Sequence, residues 1–153
     1  MVDFREATPV TVHEVQSLDL QLAQIRERLE VNAYNRFLSR GGIQGQDLDD
    51  WLSAESELLI KPQLNIAQNK DEIIAAARLS DCNCGTLELF VTPDEALLIS
   101  SVQDQRQVFA IFHFPQPIVV RSIDAEAEGD MFHFVANMVN TVEAIPAAHA
   151  HVA

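Results

Sequence analysis

Basic side chains are scarce in this chain: 10 lysines and arginines stand against 23 aspartates and glutamates, a net charge of −13. The deficit is shared, with balances of −5 over residues 1–61 and −8 over residues 62–153. Such a field repels phosphate backbones and anionic lipid, so no nucleic-acid or membrane partner is expected. Long apolar runs are lacking as well; none approaches the ~20 residues of a membrane-spanning helix. The opening MVDFREATPV has no basic start followed by an apolar stretch, so a secretion signal is not expected and a cytoplasmic location is. The two cysteines, Cys82 and Cys84, are too close for an ordinary structural bridge and too few for a disulfide scaffold.

What the chain does have is hydrophobic mass, 48% of its 153 residues, enough for one packed domain or a small domain with an appendage. The periodicity of that mass changes near Lys61-Pro62. Before it, Val15, Leu18, Leu22, Ile25 and Leu29 recur at three- and four-residue steps, continued by Ala33 and Phe37. Gly41-Gly42 then stops the helix, because glycine accepts the left-handed conformation of a C-terminal cap. Asp47 is placed to cap a second helix, with Asp49 and Asp50 in its first turn beside the positive end of the dipole. Leu48, Trp51, Leu52, Glu55, Leu58 and Leu59 follow at helical spacing, so residues 1–61 read as a helical hairpin.

Beyond Pro62 the period becomes two. QLNIAQ, EIIAAARL, TLELFV, ALLIS, QVFAIFHF and MFHFVA read as strands separated by turn formers such as Pro93-Asp94, Asp104-Gln105 and Gly129-Asp130. Alanine favours helix in EIIAAARL, but its strand neighbours decide for strand. Short strands in series without helices between them predict an antiparallel β-sandwich over residues 62–137, followed by a flexible tail, 138–153.

The candidate chemistry is thin. Cys82-Asn83-Cys84 offers two thiols where a zinc site needs about four ligands, and His113 or His133 would complete it only if their strands converged there. A histidine within a run of aromatics on a strand is more simply a hydrogen-bonded sheet residue. His149 and His151 belong to the terminal segment. Asp47, Asp49 and Asp50 lack a calcium-loop pattern, and helix capping accounts for them. Ser100-Ser101 has no glycine setting for a nucleophile. GGIQGQ follows no strand and precedes no Lys-Ser or Lys-Thr, so it is not a phosphate loop. Neither an enzyme nor a cofactor or metal is expected.

Two stretches carry a family likeness. The order TLELFVTPDEALLISS, then FHFP ending at Pro115, then Glu128-Gly129-Asp130-Met131-Phe132-His133-Phe134-Val135 resembles the alpha-crystallin domain of the small heat-shock proteins, over residues 62–137. The resemblance implies an immunoglobulin-like sandwich of the alpha-crystallin type. The link from Ser101 to Val108 is too short for the strand exchange some members use to dimerise, and Val142 and Ile145 do not make the tail pair with which the family builds shells. Residues 25–59 resemble a short bacterial two-helix module of unknown function, on Gly41, Gly42, Gly45, Asp47, Trp51, Glu55 and Leu58. That likeness implies a fold and no chemistry; the module is small enough to need a surface to pack on.

The remaining signal is apolar excess on two strands. Leu97, Leu98 and Ile99 in one, and Phe109, Ile111 and Phe112 in the next, put hydrophobic side chains on both faces. One face fills the core; the other must be covered by the helices, by a second subunit or by an unfolding client. With the high net charge to keep complexes dissolved, these six residues are the expected contacts of an ATP-independent holdase. The alternative is an interaction or assembly module without holdase activity. Either way the expected partners are unfolded or partner proteins and a second copy, in a homodimer or small oligomer.

Overall fold

The computed structural model describes residues 7–8, 10–42, 45, 47–79, 86–101 and 106–139. Cys82, Cys84, His149, His151 and the segment 140–153 therefore lie outside the described residues, and so does the loop that closes the link from Ser101.

The period-two segments form two five-stranded sheets packed face to face. The first runs β1 (Ala7–Thr8), β9 (Asp124–Glu128), β10 (Met131–Asn137), β5 (Glu72–Arg78) and β4 (Leu64–Gln68), every pair antiparallel. The second runs β2 (Val10–Glu14), β6 (Leu87–Val91), β7 (Glu95–Ser100), β8 (Gln107–His113) and β3 (Leu59–Ile60). Its centre is antiparallel, but its two edges are not: β2 pairs parallel to β6 and β3 parallel to β8. The protein is mainly β, a sandwich with an N-terminal helical hairpin.

Alternation places the core. Ile73, Ala75 and Ala77 of β5 and Phe132, Phe134 and Ala136 of β10 face Leu87, Leu89, Val91, Ala96, Leu98, Val108, Ala110 and Phe112 of the other sheet. EIIAAARL is thus a strand, its helix propensity overridden by a buried face. Phe112 meets Phe134 edge-on at 5.3 Å between ring centres and Phe132 at 6.3 Å, and Phe114 adds a second edge contact to Phe134 at 6.0 Å. Small alanines opposite large phenylalanines let the two layers interdigitate.

Strands also arise where the helical pattern had been expected to run. Residues 7–8 pair with the first sheet and 10–14 with the second, and Val15 lies ahead of helix α1, its N–H donating to the Val91 carbonyl at 3.0 Å. Helix α1 spans Asp19–Ser39 and α2 spans Asp47–Leu58. Their junction is a Schellman cap: the Gly42 N–H reaches back to the Phe37 carbonyl at 3.0 Å and the Gly41 N–H to the Leu38 carbonyl at 2.9 Å. Gly41, at φ +78°, occupies the left-handed region that the cap requires.

Candidate protein-binding surfaces

Sheet pairing sorts the six expected contact residues into two groups. In β7 and β8, Leu98 pairs with Ala110 and Phe112 with Ala96; these side chains point between the sheets and belong to the main core. Leu97 pairs with Ile111 and Ile99 with Phe109, on the opposite face. That outer face is not open. A second hydrophobic cluster of Ile25 and Leu29 from α1 with Ala54 and Leu58 from α2, and Leu59 of β3, packs on Ile99 and Phe109. Leu97 is fully buried, and Ile111 is partly buried. Of the six expected contacts, Leu98 and Phe112 thus lie on the face that fills the core, while Leu97, Ile99, Phe109 and Ile111 share the other face, where the helical hairpin packs on Ile99 and Phe109.

Polar contacts lock this cover in place. Arg28 of α1 donates through Nη1 to the Gln107 side-chain carbonyl at 2.5 Å. Gln107 in turn donates to the Ser100 carbonyl at 3.0 Å, so the helix is tied to both β7 and β8. Within the hairpin, Arg40 grips Asp50, Arg36 pairs with Glu57, and Glu55 lies 3.5 Å from Lys61. Side chains of Asn32, Asn35, Arg36, Arg40, Asp50 and Glu57 line a polar cleft of about 550 Å³ between the helices. Two ion pairs, Arg36 with Glu57 and Arg40 with Asp50, lie across it.

The signature residues of the two-helix module serve this hairpin. Gly41, Gly42 and Gly45 all have positive φ, at 78°, 74° and 95°. Asp47 joins Asp49 and Asp50 in the first turn of α2. Trp51 packs against the second cluster, and Leu58 is buried within it. Asp50 was read as a complement to the helix dipole; it is buried and ion-paired instead. Pairing with a base ten residues earlier has no periodic signature, so only the acidic first turn was visible in the sequence.

His13, His113, His133 and Ser100 make contacts within the sheets. His133 lies directly across from Glu126 at 3.0 Å, His113 faces Glu95 at 3.6 Å, and His13 reaches Glu88 at 2.9 Å while its ring stacks on Phe90. The Ser100 hydroxyl accepts the Val108 N–H at 2.8 Å and donates to the Ser101 carbonyl at 3.0 Å. Among the described residues no three His, Cys, Asp or Glu side chains are grouped to hold a metal ion, and no helix is long and apolar enough to cross a membrane.

Comparison with known proteins matches residues 24–60 to a family described as a protein of unknown function, DUF2934. That span is the helical hairpin with its flanking strand β3. No curated protein matches the chain. Among solved structures, heat shock protein 16.0 from Schizosaccharomyces pombe is similar at 10% identity and a TM-score of 0.47, over 64% of this chain and 87% of that one. The Del-C4 mutant of hsp14.1 from Sulfolobus solfatataricus P2 is similar at 14% identity and a TM-score of 0.44, over 69% of this chain and 95% of that one.

Proposed function

We propose that this protein is an ATP-independent holdase that captures partly unfolded polypeptides on the outer face of β7 and β8. The observation that carries the reading is the way that face is covered. Leu97, Ile99, Phe109 and Ile111 form a continuous apolar strip across two paired strands, and among the described residues the hairpin and β3 pack on Ile99 and Phe109 through a cluster of five buried residues, against eighteen in the main core. Local opening costs less than global unfolding where few apolar groups are buried, so the hairpin can lift while the sandwich stays folded. The uncovered strip would meet the exposed apolar segments of a denatured chain, and a net charge of −13 would keep the complex dispersed. Binding the unfolded state by mass action needs no nucleotide. The setting we assign is cytoplasmic, and the working form a homodimer or small homo-oligomer.

Light scattering from a heat-labile enzyme at a stoichiometric ratio tests the proposal. Suppressed scattering is the expected result, with stronger suppression once Leu29→Ala loosens the hairpin; unchanged aggregation in both cases removes it.

One observation favours a second reading, an assembly module without holdase activity. The strip is already occupied in the resting chain, as a permanent packing surface would be. This version predicts a single discrete partner in pull-downs and no response of aggregation to Leu29→Ala.

A further inference from the structure

Helix α1 is apolar on two opposite sides. Ile25 and Leu29 face the protein, where they are buried. At about 100° per residue, Leu20, Val31, Tyr34 and Leu38 fall within a narrow sector on the other side. They are 64%, 56%, 59% and 52% exposed, respectively. Gln24 and Glu27, also exposed, complete the row. The resulting stripe, 20-24-27-31-34-38, advances by alternating steps of four and three, the spacing of a coiled-coil seam.

That spacing is also a palindrome about residue 29. An isologous contact across a two-fold axis requires that when residue i meets residue j, j also meets i. If two α1 helices cross antiparallel with the axis at residue 29, Leu20 of one meets Leu38 of the other, Gln24 meets Tyr34 and Glu27 meets Val31. Every member of the stripe finds a partner, and each amide of Gln24 comes opposite a phenol that can hydrogen-bond it.

Charge selects the same occupant. The protein as a whole carries −13, which opposes self-association, yet α1 is neutral: Asp19, Glu27 and Glu30 are balanced by Arg26, Arg28 and Arg36. Arg36 is taken up by Glu57 of α2, so the seam itself carries one charge per copy, Glu27, far less than the surface elsewhere, and antiparallel pairing sets opposite ends of the helix dipoles side by side. The stripe is about 27 Å long at 1.5 Å per residue. Paired with itself it buries on the order of 1,000 Å² in total, the lower limit of a specific interface.

We infer that α1 is the dimerisation surface of this protein, joined to a second copy as an antiparallel helix pair centred on residue 29. The inference shares with the proposed function only the expectation of self-association, and it does not depend on holdase activity.

Cysteine cross-linking in the full chain tests it, with Cys82→Ser and Cys84→Ser removing the native thiols. Leu20→Cys and Leu38→Cys in one chain stand about 27 Å apart. A disulfide spans at most about 7 Å between Cα atoms, so they cannot bridge within a protomer. The double variant is expected to oxidise to a covalent dimer of twice 17.0 kDa. Each single variant is expected to stay monomeric on a non-reducing gel. Cross-linking of Leu20→Cys alone would reveal a parallel pair and overturn the inference, as would failure of the double variant to cross-link. Sedimentation velocity gives the second measurement. The wild-type chain should be a dimer at micromolar concentration and Val31→Asp/Leu38→Asp a monomer with unchanged far-UV circular dichroism. A variant that remains dimeric removes the α1 seam alone; a monomeric wild type removes the self-association as well. Either result leaves the light-scattering test of the holdase untouched.

Discussion

The Arg40 guanidinium closes on the Asp50 carboxylate through two parallel hydrogen bonds, Nη1 to Oδ1 at 2.8 Å and Nη2 to Oδ2 at 2.7 Å. Arg40 is the C-cap of α1 and Asp50 lies in the first turn of α2, so one bidentate contact fixes the two helices at their junction. Asp50 is only 6% exposed. Removing its partner leaves a buried charge uncompensated, which costs about 3–5 kcal/mol. Arg40→Ala should therefore detach the hairpin, whereas Arg40→Met/Asp50→Leu, which removes both charges, should recover most of the loss. Arg40→Lys keeps the charge but not the fork and should fall between them. Chemical denaturation followed by fluorescence of Trp51, the single tryptophan, reads the hairpin directly.

The two hydrophobic clusters should melt as separate units. Leu29→Ala empties the small cluster and Phe132→Ala the large one; buried truncations of these kinds cost about 2–5 and 3–5 kcal/mol. Leu29→Ala is expected to lower the thermal midpoint seen by Trp51 fluorescence and leave the strand signal in circular dichroism nearly in place. Phe132→Ala should move both. Coincident shifts in the two variants would mean that the hairpin and the sandwich unfold as one.

Gly41 isolates backbone strain from packing. Its φ is +78°, and a β-carbon there would meet no atom within 4 Å. Gly41→Ala should thus cost about 1–2 kcal/mol through conformation alone, and Gly41→Asn less, since asparagine tolerates the left-handed region. Equal losses in urea titrations of the two variants would contradict that account.

His13 clips β2 to the second sheet through Glu88 and the Phe90 ring, whose centroid is 4.5 Å away. Both members of the ion pair are more than a third exposed, so His13→Ala should cost less than about 1 kcal/mol globally. Its effect should be local. Hydrogen exchange at the amides of residues 10–15 is expected to accelerate, with the β5 and β10 amides unchanged.

The sandwich was legible because its core strands alternate cleanly. Leu87, Leu89 and Val91 declare an inward face by alternation, whereas EIIAAARL, apolar throughout residues 73–77, reads as strand from its neighbours. The hairpin was legible through the step pattern of α1 and the paired glycines after it. Two things were not. The segment 7–14 is too short for its period to stand out, and a parallel strand partner 77 residues downstream leaves no local mark. Strand β9, DAEAE, shows acids to the eye, and its inward side is made only of Ala125 and Ala127. For the candidate site, alternation identified strands apolar on both faces, but whether water or a helix met the outer side depended on tertiary packing. The same holds for Asp50, whose partner Arg40 lies across a turn.

Strands β1 and β2 each join a partner far along the chain, which bears on how this molecule is made. During synthesis β2 waits for the 77 residues that separate Val10 from Leu87, and β1 for the 119 that separate Thr8 from Ala127. Translation at roughly 5–20 residues per second makes that wait several seconds or more. Until then the amides of β1 and β2 lack their sheet partners. The two sheet margins therefore close late in synthesis, each by a strand made well before its partner.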